Sequence, residues 1–394
     1  MISSAAPNPP RRIVRDRRRG QTQRKLEDSV KVRTLFLKVH LWLGLTAAIF
    51  VICLGLTGSI MAFQDDIEHA LHLGFWYVKP ASQTMPEALL IRTVEQRFAP
   101  ARVELVLMPR QKNLAQAMRM TDEATVTISP YDGAILGRIG AEGTTSERIL
   151  DYIYQFHVLL IPNPQSAGRS FVTAGGILVQ IVGIVLCLQI PIGVILWWRS
   201  KRASVNWRGS WFRVSFDAHN AVGIYAAVFL FIAAFTGVLT HLGEPLIVAV
   251  TNAAMNVSEP LRQTSPESSI IPGGVRIDVE QVLDTARHSI PDATIAMIQL
   301  PLKPTAVFTV GMRVPEESSD SVHSSVFIDQ YSGETLRVVD FRTYSQSYRV
   351  IRLNRAIHTG DIWGFPSHTF FLFSSLLLVA MAITGVVIWW KKLA

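Results

Sequence analysis

Four apolar runs separated by polar stretches dominate the hydrophobic pattern of this chain. They cover residues 39–63, 171–198, 221–242 and 368–390. Each run is long enough to cross a bilayer as one helix, because a span takes about 20 apolar residues. Two of the three connections are each on the order of 100 residues long, which is the size of a small domain. The pattern therefore predicts four membrane helices and two large domains outside the membrane.

The second half of the chain repeats the first. His40 opens the first apolar run, and His219 opens the third run 179 positions later. In both runs a glycine lies four residues after the histidine, and a Thr-Gly pair lies near the far end. These residues are Gly44, Thr57 and Gly58 in the first run and Gly223, Thr236 and Gly237 in the third. The second and fourth runs both end in a Trp pair followed by a base, which is typical of an interfacial anchor.

The two large polar regions also match each other. Residues 87–98 and 278–290 have the apolar spacing of short helices, and a proline follows each of them. Strand-like stretches come next, interrupted by a Tyr-x-Gly motif typical of a turn, at Tyr131 and Tyr331. The predicted fold class is membrane α-helical, a four-helix transmembrane bundle from a duplicated helix–domain–helix unit. Each unit adds an outside α+β domain of one helix and several antiparallel strands.

Basic residues orient the chain. The formal net charge is 38 − 30 = +8. Eleven Lys or Arg residues precede His40, five lie from Arg199 to Arg213, and two follow the last apolar run. The positive-inside rule makes these three segments cytoplasmic. We therefore predict a multi-pass membrane protein with both termini cytoplasmic and both domains outside, in the periplasm if the membrane is the inner membrane of a Gram-negative bacterium. Bases beside a first membrane helix already have this cause, so nucleic acid is not predicted as a partner.

The predicted organisation has eight segments. They are a basic cytoplasmic tail (1–38), membrane helix 1 (39–63), periplasmic domain 1 (64–156), a periplasmic return segment with membrane helix 2 (157–198), a cytoplasmic loop (199–218), membrane helix 3 (219–242), periplasmic domain 2 (243–357), and a return segment with membrane helix 4 (358–394).

Four histidines are the candidates for chemistry. Histidine in a membrane segment costs free energy unless it has a partner, so it indicates a functional site by default. In the predicted topology His40 and His219 lie near the cytoplasmic face, and His157 and His358 near the outer face. Imidazole is a standard axial ligand of haem iron, and bundles hold cofactors between facing helices. The arrangement predicts two bis-histidine haem b groups, one at each face.

Several alternatives stay open at this point. His368 competes with His358 as an outer ligand, and His241 is a further outer candidate. Each histidine could instead be a hydrogen-bonded residue at the membrane interface. The repeated glycines could admit a flat macrocycle or let helices touch. Acidic residues and histidines between Asp65 and His72 could bind a metal, but we prefer a solvated face, because such residues beside a membrane usually form one.

Motifs that are missing also limit the function. The chain has no Cys-x-x-Cys-His, which excludes the usual covalent haem attachment. It has no dinucleotide-binding glycine motif and no phosphate loop. Electrons must therefore come from a separate donor, such as a membrane quinol or a cytoplasmic reductase.

These residues resemble those of the PepSY-associated transmembrane family. The matching positions are His40, Gly44, Thr57, Gly58, His157, His219, Gly223, Thr236, Gly237, His358, Thr359, Gly360, Thr384, Gly385, Trp389 and Trp390. The resemblance covers about residues 34–392, and the outside domains look like PepSY domains. The two halves differ at one place. Ile192 and Gly193 follow Pro191 where the second half has Thr384 and Gly385, and a proline should kink that helix.

Within this family, the closest functional resemblance is to inner-membrane ferrisiderophore reductases. It implies a haem-dependent ferric reductase whose PepSY domains flank the outer haem and dock a ferric siderophore or other iron(III) chelate. Arg349, Arg352 and Arg355 could attract an acidic chelate, or could simply line the membrane surface. The alternative is a haem-free PepSY membrane protein that binds a peptide or regulates a peptidase. Transport is disfavoured, because no acidic or basic side chain lies deep inside the spans.

Overall fold

The computed structural model of the protein describes residues 11–140, 144–160, 173–255, 265–271, 273–317 and 324–393. Its helices, in chain order, are α1 (Arg11–Met61), α2 (Gln64–Leu71), α3 (Leu73–Trp76), α4 (Glu87–Arg97), α5 (Thr145–Leu159), α6 (Ala174–Ser200), α7 (Trp211–Met255), α8 (Val279–Ser289), α9 (Gln346–Thr359) and α10 (Phe365–Leu393). Its strands are β1 (Val103–Leu107), β2 (Gln116–Met120), β3 (Thr125–Ile128), β4 (Ile135–Ile139), β5 (Thr294–Gln299), β6 (Phe308–Arg313), β7 (Ser324–Ile328) and β8 (Thr335–Val339).

Within these residues, four helices are long and apolar enough to cross a membrane. Their apolar segments are Val30–Met61, Ala174–Ser200, Trp211–Thr240 and Phe365–Lys391. The four predicted membrane helices are therefore confirmed. They expose large apolar side chains, including Ile49, Leu188 and Phe373, as helices solvated by lipid should.

Helices α1 and α7 have other boundaries than predicted, and α7 continues to Met255, past the predicted end at 242. The segment predicted as a tail is helical from Arg11 onward, because α1 begins there rather than near residue 39. Lys, Arg and Gln are good helix formers, and no proline interrupts residues 11–63, so nothing in this segment ends the helix. In addition, α7 begins at Trp211, directly after a Gly-Ser pair, so the loop predicted at 199–218 is shorter.

The residues outside the spans form two modules with the same order of elements. Helix α4 precedes β1 to β4, and α8 precedes β5 to β8. The Tyr-x-Gly motif joins the last two strands of each module. There Gly133 (φ +70°) and Gly333 (φ +74°) adopt the left-handed backbone that glycine tolerates best. The predicted helices, antiparallel strands and turns are thus all present.

The two modules share one antiparallel sheet, which the sequence did not predict. Its strand order is β4-β3-β2-β1-β5-β6-β7-β8. Strands β1 and β5 join the modules, with Val106 opposite Ile298. Both side chains are fully buried, and residues of α4 and α8, such as Val94 and Val282, belong to the same core. The two predicted outside domains are therefore halves of one α+β domain.

A short helix follows each module and carries a candidate histidine near its C-terminal end. Helix α5 starts soon after β4 and ends two residues past His157, whereas α9 starts soon after β8 and ends one residue past His358. Thr144 and Glu147 form a capping box at the start of α5, and Ser345 caps α9. The caps fix where each helix begins, and therefore which face each histidine occupies.

The chain divides into two compact units. The first comprises Met1–Cys53, Ile181–Ala234 and Leu377–Ala394, and the second comprises Leu54–Gln180 and Phe235–Leu376. His40 and His219 belong to the first unit, whereas His157, His358 and the α+β domain belong to the second.

Candidate functional site

The first unit brings His40 and His219 together. Their ring centroids are 6.3 Å apart, and the ring planes are nearly perpendicular at 80°. The two residues come from α1 and α7, which the sequence repeat had paired. The structure therefore places one imidazole from each half of the chain beside the other.

Each of these two rings faces a glycine of a closing helix. A Cβ atom at position 193 would lie 3.1 Å from Cε1 of His40, and one at position 385 would lie 3.5 Å from Cε1 of His219. The first distance is tighter than an ordinary contact, so Gly193 leaves room for the ring that a larger residue would take.

Thr384 fixes the ring of His219. Its Oγ1 lies 2.9 Å from Nδ1 of His219 and also donates to the backbone carbonyl of Ala380 at 2.7 Å. A hydroxyl has one proton to donate, so it accepts from the Nδ1–H of His219. The other ring nitrogen, Nε2, then carries the lone pair that a metal ion needs.

His40 lacks this partner. Ile192 occupies the position that Thr384 holds in the second half. Nδ1 of His40 is buried and has no hydrogen-bond partner among the described residues. Gln189 instead donates its side-chain amide to the backbone carbonyl of His40 at 2.7 Å, and Gly44 leaves space for that amide. The two ligand candidates of this unit are therefore held differently.

In the second unit, His157 faces the far end of α1. Its Nδ1 lies 2.9 Å from Oγ1 of Thr57. A Cβ atom at position 58 would lie 3.1 Å from Cε1 of the same ring. Thr57 also donates to the carbonyl of Leu54 at 3.2 Å, the same arrangement as at Thr384. The Thr-Gly pair of α1 therefore serves His157 rather than His40.

His358 faces α7 in the same way. Its Nδ1 lies 3.1 Å from Oγ1 of Thr236, and a Cβ at position 237 would lie 2.9 Å from its Cε1. Asn354, one turn earlier on α9, donates to the carbonyl of Thr236 at 3.1 Å and to the hydroxyl of Thr240 at 3.2 Å. These bonds hold α9 against α7 and set the position of the ring.

The competing histidines have other surroundings. Nε2 of His368 lies 3.2 Å from Oδ1 of Asp361, and its ring lies 6.0 Å from that of Phe63. His368 therefore has a carboxylate partner and lies against Gly360, where a Cβ atom would come 2.9 Å from its Cδ2, rather than against the Thr-Gly pair that holds His358. The side chain of His241 lies outside the described residues.

The acidic cluster after the first helix does not gather into a metal site. His69 packs on Trp76 with centroids 4.7 Å apart, and Nε2 of His72 lies 2.7 Å from the hydroxyl of Ser146. Burial, assisted by the nearby carboxylate of Glu147, raises the pKa of Glu68 to about 7. These three side chains therefore have local contacts.

The three arginines near His358 share the helix α9. Arg349 and Arg355 are exposed and Arg352 is half-buried. Arg349 also donates to the carbonyl of Arg342, in the segment between β8 and α9. Positive charge therefore lies on the helix that carries His358.

The donor set of the first unit fits haem better than a bare ion. Among the described residues, no group of three or more His, Cys, Asp or Glu side chains could hold a metal ion. Haem supplies its own equatorial ligands and needs only axial ones. Two metal–nitrogen bonds of about 2 Å, with roughly 1 Å from each nitrogen to its ring centre, separate opposed imidazole centroids by about 6 Å. The observed 6.3 Å agrees with that spacing.

Fold and site define a class of protein: a multi-pass membrane protein with glycine-facing histidines, two of them side by side, and one α+β domain outside the spans. The chain matches the family model of the PepSY-associated TM region over residues 37–392. It therefore belongs to that family, as the sequence resemblance indicated. No curated protein matches the chain.

Sequence reasoning missed the partners of the histidines. It noted the Thr-Gly pairs only as part of the repeat, whereas in the structure Thr57 and Thr236 bond to His157 and His358. It also overlooked Gln189. A polar amide inside the apolar run of α6 was the available signal, because such groups are rarely left unpaired in a membrane.

Proposed function

We propose that the protein is a di-haem reductase of a bacterial inner membrane that delivers electrons to iron(III) chelates in the periplasm. The observation that carries the proposal is the repeated environment of four histidines. Each faces a glycine, and three of them bond to a threonine through Nδ1. This arrangement orients an imidazole and leaves Nε2 as a ligand, which an ordinary interfacial histidine does not need.

In this proposal, His40 and His219 hold one haem, and His157 and His358 hold the other. Bound haem would supply one-electron chemistry at each position. The residues of the chain position the rings, exclude competing ligands and keep the surroundings apolar. The threonines act through the histidine rings, since a bond at one ring nitrogen fixes the tautomer at the other.

The α+β domain would bind the iron(III) chelate. Each module leads within a few residues into the helix that carries an outer histidine. A chelate docked on the domain, whose two modules are PepSY-like in this proposal, would lie close to His157 and His358. Exposed Arg349 and Arg355 would attract an acidic chelate electrostatically.

The basic segments orient the molecule, with both termini in the cytoplasm. The donor is then a membrane quinol or a separate cytoplasmic reductase, since the chain has no dinucleotide-binding motif. One electron reduces iron(III) to iron(II), which hard oxygen ligands hold less well, so the chelate releases it.

The proposal is tested by reoxidation of the reduced protein. Protein in detergent is reduced with dithionite, freed of excess reductant and mixed with a ferric trihydroxamate, and an iron(II)-specific dye traps the product. We expect reoxidation of the haem with about one iron(II) formed per haem, in line with one-electron transfer. His219→Ala and His358→Ala should lose the reaction, whereas His288→Ala on the surface of α8 should keep it. A haem-containing protein that ferric chelates leave reduced would contradict the proposal.

A further inference from the structure

The four glycine-facing rings take equivalent positions. A Cβ atom on the facing glycine would lie 3.8 Å from Nδ1 of His40 and 3.6 Å from Nδ1 of His157. The corresponding distances are 3.6 Å for His358 and 3.9 Å for His219. His40 is thus seated against Gly193 as the other histidines are seated against their glycines. What it lacks is the hydroxyl that precedes each of the other glycines.

Position 192 is the place where that hydroxyl is missing. Thr57, Thr236 and Thr384 stand directly before their glycines, and Ile192 stands directly before Gly193. Nδ1 of His40 is buried without a partner among the described residues. The side chain of Gln189 does not pair with it in this structure, because Nε2 donates to the backbone carbonyl of His40 and Oε1 is itself buried without a partner among the described residues.

We infer that the three threonines are positioning residues for the haem ligands, and that Ile192 makes His40 the weakly held, exchangeable ligand of the first site. This inference rests on the proposed function and deepens it. It divides the four ligands into three anchored ones and one that an external ligand can displace.

The physical reason lies in the bond from Nδ1–H to the hydroxyl oxygen. It fixes the ring and the tautomer, and it increases the basicity of Nε2, which favours the ferric over the ferrous state. At His40 no threonine hydroxyl supplies either effect. A ring without this bond is held less firmly in its position against Gly193.

Because the ring positions are equivalent, a threonine at position 192 should restore the missing hydrogen bond. Threonine at 192 would have the size and β-branching of isoleucine and would carry its hydroxyl where Thr384 carries one. Ile192→Thr should therefore anchor His40, and Thr384→Val should release His219. Ile192→Val and Thr46→Val serve as controls. Among the described residues, the hydroxyl of Thr46 bonds to carbonyls of its own helix, at Trp42 and Leu43.

The experiment measures carbon monoxide binding and midpoint potential on the full protein in detergent. In the wild type we expect one of the two haems to bind carbon monoxide after reduction, since one site has an exchangeable ligand. Ile192→Thr should reduce that binding on the order of tenfold, the usual size of an effect from such outer contacts. It should also lower the midpoint potential of the first haem, by 59 mV if the reduction equilibrium changes tenfold. Thr384→Val should change both quantities in the opposite direction.

The outcomes separate this inference from the function on which it rests. Two haems per chain with carbon monoxide binding and potentials unchanged in Ile192→Thr and Thr384→Val would overturn the inference and leave the reductase proposal intact. The same shifts in the two control variants would also overturn it. A wild-type protein without haem would overturn the proposed function and the inference together.

Discussion

Adding a single methyl group at position 237 should displace His358 and leave the rest of the fold intact. The Cβ of Gly237→Ala would lie 2.9 Å from Cε1 of His358, closer than such atoms approach, so the ring must move. Moving it breaks the bond to Thr236. At Gly385 the same methyl would meet His219 at 3.5 Å, an ordinary contact. Gly385→Ala is therefore the matched control.

The change in the free energy of unfolding is the sum of two unfavourable contributions and one favourable one. Overpacking costs about 1–3 kcal/mol, and the lost hydrogen bond costs about 1 kcal/mol. Alanine is favoured over glycine in a helix by about 1 kcal/mol. For Gly237→Ala the sum is a destabilisation of about 1–3 kcal/mol with displacement of His358. For Gly385→Ala the helix preference is the main term, so the protein should be unchanged or slightly more stable.

The assay is haem content per chain together with thermal unfolding in detergent. We expect Gly237→Ala to retain one haem and to unfold at a lower temperature, and Gly385→Ala to retain two. The reasoning fails if both variants lose haem equally, or if Gly237→Ala keeps both haems at the wild-type unfolding temperature.

Three further predictions concern other parts of the chain. His358→Ala should lose one haem per chain, whereas His368→Ala should keep both, and the reverse result would make His368 the outer ligand. Burial raises the pKa of Glu87 to about 7 from an ordinary value near 4.5, although a hydrogen bond from Gln116 acts against it. The free energy of unfolding is highest below pH 4.5, where the carboxyl is protonated in the folded and unfolded states. It falls by about 3 kcal/mol as the pH rises through 7, at 1.36 kcal/mol per pH unit. Glu87→Gln should therefore unfold like the wild type at pH 4 and at a higher temperature than it at pH 8; an equal difference at both pH values would contradict this. A fluorescent protein that folds only in the cytoplasm should fluoresce at either terminus, and a dark fusion at one terminus would refute the predicted topology.

The sequence predicted the spans and the module content because both depend on local patterns. A span needs only length and apolar composition, and each module is predicted by a helical pattern, a proline and a Tyr-x-Gly turn. The shared sheet was not predictable in this way. Its joining contact pairs the backbones of β1 and β5, which lie far apart in the chain, and no side-chain signal specifies that register.

The histidines were identifiable from the repeat, but their partners were not. Helical periodicity relates residues on one helix, so it could not show which histidine Thr57 contacts. Contacts between helices depend on their packing, and in the fold Thr57 bonds to His157. That His40 lacks a hydroxyl partner because of Ile192 becomes clear only when the glycine-facing rings are compared in space.

The central claim is that paired histidines of this membrane protein hold two haems. The most direct measurement is the absorption spectrum of the purified protein, oxidised and then reduced with dithionite, with haem quantified per chain. The account predicts low-spin b-type spectra and two haems per chain in protein expressed with haem supplied. A colourless protein under those conditions would contradict it and would leave the α+β domain, with a peptide as its ligand, as the functional part.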